Sequence, residues 1–99
     1  MISKESVYGA LKTVMDPELH INIVDLGLIY DVVVLENEVE VVMTLTTPGC
    51  PLAPVIDRLV KESVGGIEDN LKVRLALVWD PPWHIGLMSE EARAELGFD

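Results

Sequence analysis

The sequence predicts an α/β (α+β) domain with elements in the order α-β-β-α-β-α. The sheet is small and three-stranded, a β-hairpin plus a third strand, with the helices packed mainly on one face. Two observations carry this. Residues 38–46 alternate apolar and polar side chains with the period of a half-buried strand, Val73, Leu75, Leu77 and Trp79 recur at every second position of another, and residues 28–35 are rich in β-formers. Residues 3–15 and 51–64 instead space their apolar residues three and four apart, which places them on one side of a helix, and 90–96 carries helix start and stop signals.

Taken in order, Ser3 is suited to cap a first helix whose stripe is Val7, Ala10, Leu11, Val14 and Met15, and Asp16-Pro17 stops it. Residues 16–27 read as an ordered loop with a short extended piece at Ile21–Val24. Tyr30, Val32 and Val34 share a strand face, Glu36-Asn37 makes a tight turn, and Val39, Val41, Met43 and Leu45 form the apolar side of the returning strand. Glu38, Glu40, Thr44 and Thr46 fall mostly on its other side. The second helix opens at Pro51, carries Leu52, Val55, Ile56, Leu59 and Val60, and ends at Gly65-Gly66. Val73, Leu75, Leu77 and Trp79 alternate on the third strand, which Asp80-Pro81-Pro82-Trp83 breaks; of the two tryptophans, Trp79 is expected in the core and Trp83 at a rim. Ser89 caps a final helix, Glu90–Leu96, with Gly97 at its end.

Ninety-nine residues are expected to form one domain, long enough to bury a core without disulfides. A single cysteine fits a reducing compartment. With no apolar leader and no membrane-length apolar run, a cytoplasmic location is expected, and no membrane association. Seventeen acidic residues against seven basic ones give a formal charge of -10, which disfavours nucleic acid, whose phosphates need clustered Lys and Arg. A basic protein surface is the better electrostatic match.

That one cysteine, Cys50, lies in Thr46-Thr47-Pro48-Gly49-Cys50-Pro51, between a strand and a helix. With Pro51 in the first helical turn, Cys50 becomes the N-cap, beside free N–H groups and the positive end of the helix dipole. That setting lowers a thiol pKa below its free value of ~8.5. The plain alternative is a small buried hydrophobe. One thiol and no CxxC or HxxxH spacing leave a metal cluster dependent on ligands from elsewhere, such as a second Cys50 across a symmetric homodimer. A thiol enzyme would need a base, and the candidates are His20 and His84, neither in a recognisable spacing to Cys50. Asp16, Glu18 and Asp25 precede the hairpin. For Asp16, before a proline, a turn role is the stronger reading. Asp25, entering an apolar strand, requires partners such as loop N–H groups or a metal. The Thr46 and Thr47 hydroxyls stand just before the thiol.

Together, Asp16-Pro17-Glu18, Asp25-Leu26-Gly27-Leu28-Ile29-Tyr30-Asp31, Met43 through Pro51, and Val78-Trp79-Asp80-Pro81-Pro82-Trp83 followed by Met88-Ser89 resemble the SufT/PaaD-like iron–sulfur cluster assembly (FSCA) domain. That domain is similar to targeting subunits of eukaryotic cytosolic iron–sulfur assembly and to the domain fused to some Mrp-type carrier ATPases. The resemblance covers nearly the whole chain, and the Thr-Thr-Pro-Gly-Cys-Pro block is its specific part. It implies a non-enzymatic factor that carries, transfers or targets iron–sulfur clusters, held transiently, between carrier or scaffold proteins and apo-protein clients. It implies Cys50 as the reactive residue and candidate cluster ligand, Asp25, Thr46 and Thr47 in the same site, and Glu18 at the family's early acidic position. These 99 residues include no cysteine-rich tail of the PaaD type and no ATPase domain, so a dedicated phenylacetate-pathway role is not expected and a nucleotide-driven step is expected to fall to a partner. An adaptor that binds no cluster and a cysteine-dependent enzyme are the alternatives.

Overall fold

The computed structural model describes residues 2–17, 19–46 and 52–97. Helix α1 (Lys4–Leu11) is followed by strands β1 (Ile29–Val34) and β2 (Glu38–Met43), helix α2 (Ala53–Gly65), strand β3 (Lys72–Leu77), a 3-10 turn at Ile85–Leu87 and helix α3 (Glu90–Leu96). The α-β-β-α-β-α order and the α+β class are as expected. The sheet is mixed, in the order β1-β2-β3, with β1 antiparallel and β3 parallel to the central β2. No helix is long and apolar enough to cross a membrane.

Local chemistry accounts for most boundaries. The Ser3 hydroxyl accepts the Ser6 N–H and the Ser6 hydroxyl accepts the Ser3 N–H, a reciprocal cap on α1. This helix ends four residues earlier than its apolar stripe: Thr13 turns both its amide and its hydroxyl to the Ala10 carbonyl, at 3.0 and 2.6 Å, which tightens the chain out of the helix. Val14 stays buried, but Met15 becomes 48% exposed and bridges to Asn22. The Ser89 cap and the left-handed Gly97 at the end of α3 match their sequence signals.

The start of α2 departs from expectation. Its N-cap is Leu52 and its first bond runs from Ile56 N–H to the Leu52 carbonyl. A helix beginning at Pro51 would make Pro54 the first residue required to bond back four positions. Pro54 has no N–H, and its ring would strike the carbonyl of residue 50. The helix therefore begins at Ala53, where Pro54 sits harmlessly in the first turn. Cys50 is thus two positions before the N-cap and does not hold the expected cap position; a helix dipole acts mainly on its own first turn.

The core lies between one sheet face and two helices. Val39, Val41 and Met43 of β2 and Val32 of β1 meet Val7 and Leu11 of α1 and the i, i+4, i+8 row Ile56, Val60 and Val64 of α2, all essentially inaccessible. Each such side chain contributes roughly 1.5–3 kcal/mol on burial. A bulge between Ile29 and Asp31 shifts the β1 register, so Ile29 pairs with Met43 while Val32 pairs with Val41. Tyr30, expected in line with Val32 and Val34, falls inside the bulge and sends its hydroxyl 2.7 Å to the Pro81 carbonyl.

The chain turns from the loop into β1 at Gly27, with φ +77°, where a Cβ would collide with the Leu87 carbonyl. Replacing Gly27 by Ala adds both strain and overlap. The expected loss is at least about 2 kcal/mol. It is measured as a lower urea midpoint at unchanged slope; an unchanged midpoint would contradict this close approach.

Candidate functional site

The parallel pairing places Met43 beside Leu77, and the Val78 N–H extends the ladder to the Met43 carbonyl at 2.9 Å. The segments that follow β2 and β3 therefore emerge side by side. They enclose a pocket of about 110 Å³ lined by Thr44, Leu45, Thr46, Trp79, Pro82 and Trp83. Thr44, expected on the polar side of β2, is only 1% exposed because the segment after β3 covers it there. Its N–H bonds the Leu28 carbonyl at 2.9 Å. Thr46, half-buried, lines the pocket, and the next residues in sequence are Thr47, Pro48, Gly49 and Cys50.

The two tryptophans exchange their expected roles. Trp79 is 43% exposed, beyond the end of β3, whereas Trp83 packs partly buried against the core. The indole N–H of Trp83 donates to the Leu26 carbonyl at 2.7 Å. An indole has one donor that needs a partner when buried, and Trp83 is the one with a carbonyl in reach.

Asp25 sits in the loop that precedes β1. Its carboxylate accepts the Asn22 side-chain N–H at 2.7 Å, and its own N–H donates to the Asn22 side-chain oxygen at 2.9 Å. The partner required by this half-buried acid is a side-chain amide rather than a row of loop N–H groups. Asn22 is a residue the sequence reading missed; its signal is an Asn three residues before an acid, the spacing of a cap in which the side-chain oxygen accepts an N–H three residues on. The Asp25 carbonyl in turn accepts the Ser89 N–H at 2.8 Å.

The remaining candidates separate. Asp16 is 7% exposed and accepts the Leu19 N–H at 2.9 Å, a turn role as read from Asp-Pro. His20 is exposed with φ 57°. His84 is exposed too, its Nδ1 accepting the Gly86 N–H at 3.1 Å at the start of the 3-10 turn. Glu18, Thr47 and Cys50 lie outside the described residues, as does any contact between Cys50 and either histidine. Among the described residues no three His, Cys, Asp or Glu side chains gather where they could hold a metal ion.

A family model for iron–sulfur cluster assembly proteins matches residues 4–76. The chain belongs to that family. It is 44% identical over 95 residues to the Fe-S protein maturation auxiliary factor YitW of Bacillus subtilis, covering 95% of this chain and 93% of that one. It is 45% identical over 85 residues to the Fe-S protein maturation auxiliary factor SufT of Staphylococcus aureus, covering 85% and 97%. Among solved structures, a domain of unknown function from Bacillus anthracis superposes with a TM-score of 0.89 at 38% identity, covering 97% of this chain and 92% of that one. The family match ends inside β3, so the segment from Val78 to Ser89, which walls the pocket, lies beyond it.

The Asn22–Asp25 pair has a measurable consequence. Asn22→Ala, Asp25→Ala and the double variant should form a non-additive cycle, with a coupling energy of about 1 kcal/mol in urea unfolding. Strict additivity would mean that the two side chains do not hold the loop together.

Proposed function

We propose that this chain acts in the cytoplasm as a one-domain, non-enzymatic factor that takes an iron–sulfur cluster from a carrier or scaffold protein and passes it to apo-protein clients. The broader role, in iron–sulfur cluster assembly or maturation, follows from the family and from the names of relatives that match nearly end to end. Proteins named iron–sulfur cluster carriers match over a smaller share of their own length, as in Synechocystis, where 32% identity spans 23% of the carrier. The cluster is cargo in this reading, and Cys50 is its transient ligand.

One observation supports that assignment above the others. Thr46, in the pocket wall, and Cys50 belong to a single short segment leaving β2. A thiolate there would have hydroxyls of Thr46 and Thr47 as neighbours in sequence, and Asp25 would act through the loop it braces against Asn22. Glu18 keeps a supporting place in this reading. A lone thiolate leaves the other positions of a cluster unfilled, so those ligands come from the donor, the acceptor or a second copy of this chain. Such sharing suits cargo, because exchange of ligands one at a time moves the cluster between proteins without releasing it.

Carrier and enzyme differ in what they need beside the thiol. A cysteine enzyme needs a general base, whereas a carrier needs none. In cells whose iron–sulfur enzymes can be assayed, Cys50→Ser should lower those activities several-fold, on the scale of losing a ligand, while His20→Ala/His84→Ala stays near wild type at equal protein levels. Equal losses from both would favour the enzyme. No loss from Cys50→Ser would leave an adaptor. Anaerobic reconstitution with iron and sulfide should give visible absorption that Cys50→Ser abolishes.

A further inference from the structure

The segment from Trp79 to Ser89 is fastened to the loop and bulge Asp25–Tyr30 at four places. The Tyr30 hydroxyl bonds the Pro81 carbonyl, the Trp83 indole bonds the Leu26 carbonyl, Leu87 closes over Gly27, and the Ser89 N–H bonds the Asp25 carbonyl. Only one of these residues also faces the other half of the site. Trp83 lines the pocket with Thr44, Leu45 and Thr46 while its N–H holds Leu26 at 2.7 Å. The Leu26 carbonyl receives no other hydrogen bond from the described residues.

We infer that Trp83 is a positioning residue: its indole holds the Asp25–Gly27 loop at the pocket it lines with Thr46, four residues before Cys50 in sequence, and through that end of the site it acts on the reactivity of Cys50. This rests on the reading of Cys50 as the reactive residue, but its structural half does not. Trp83 contributes nothing to a cluster directly, having no ligand atom to offer a metal. What it supplies is a bond to the Leu26 backbone and a ring in the pocket wall. Trp79 provides the internal comparison, since it lines the same pocket, carries the same donor, and makes no bond to the loop.

In wild-type protein, NMR exchange of the Trp83 indole N–H with deuterium should be much slower than that of Trp79. Equal rates would mean the bond is absent in solution and would overturn the inference. Trp83→Phe keeps a ring in the wall and removes the donor. It should shift the backbone amide signals of Asp25, Leu26 and Gly27 and of Thr46 together, while Trp79→Phe moves only the Thr46 side. It should also change Cys50 alkylation by iodoacetamide about fivefold across its pH profile, the scale of one neutral hydrogen bond. Folding is checked by the thermal midpoint. Unmoved Asp25–Gly27 signals, or an unchanged alkylation profile in a folded Trp83→Phe protein, would refute the positioning role. If instead the signals and alkylation change as expected but Cys50→Ser matures iron–sulfur enzymes normally, Trp83 keeps its positioning role and the function assigned to Cys50 fails.

Discussion

Because β2 and β3 run parallel, the segments that follow them leave the sheet at the same end. The candidate site depends on this constraint. Parallel neighbours need a crossover, and α2 supplies it, packing its Ile56–Val60–Val64 row on the core face. In α/β structures, ligand sites gather beyond the carboxyl ends of parallel strands, and here those ends deliver Thr44–Thr46 from one strand and Trp79–Trp83 from the other. Had β3 been antiparallel to β2, the two tryptophans would stand at the far edge of the sheet from Thr46. The hairpin serves the same end from the other side: β1 brings Leu28 and the loop before it against Thr44, and Trp83 closes the ring by bonding Leu26.

Much of the fold is legible in the sequence because it follows from local periodicity. The alternation of Val39, Val41 and Met43, the helical row of α2 and the Ser89 cap each depend on residues within a few positions of one another. The failures mark where distant contacts decide. Nothing local to Thr44 says that a later segment will cover it, so a residue on the polar phase of the strand is buried. Trp79 keeps the alternating phase of β3, but burial on that phase already fails at the paired Leu77, 36% exposed, and Trp79 beyond it is 43% exposed. Trp83 is drawn inward by a carbonyl 57 residues away in sequence. The start of α2 is a different case: Pro54 was sufficient to exclude a helix from Pro51, since a proline at the fourth position removes the first helical bond. Of the candidate site, Asp25 and Thr46 are placed by the fold, whereas Asn22 and Trp83 become visible only as the partners that hold the loop.

Surface ion pairs among the described residues add little to stability. The ion pairs Arg58–Glu62, Lys61–Asp57 and Arg74–Glu38 lie on the surface at 3.3 to 3.9 Å, where each contributes at most about 1 kcal/mol. The apolar core outweighs them, which frees the acidic excess for another purpose. A surface formally at -10 accelerates encounter with basic partners and slows encounter with acidic ones, an effect that acts on association rate and weakens with salt. Affinity and registry then have to come from groups at the contact itself.

On the proposed reading of Cys50 as a transient ligand, one thiol and a small pocket match a transfer step better than storage. Storage calls for a complete ligand set within one molecule, and tight coordination slows release. Transfer calls for an incomplete set, a fixed presentation of the ligand that is there, and a surface that meets partners quickly. The sequence supplies one cysteine, and at one end of the sheet Trp83 lines a pocket with Thr46 and bonds Leu26 of the loop that Asn22 and Asp25 brace. Rigidity in this arrangement has a direct physical use. If the Thr46 segment and the Asp25 loop moved independently, each partner would have to order them on binding, at the expense of affinity. If Trp83, bonded to Leu26 and lining the pocket with Thr46, holds the two in place, that ordering is moved into the folding of the chain, where the core already supplies the free energy.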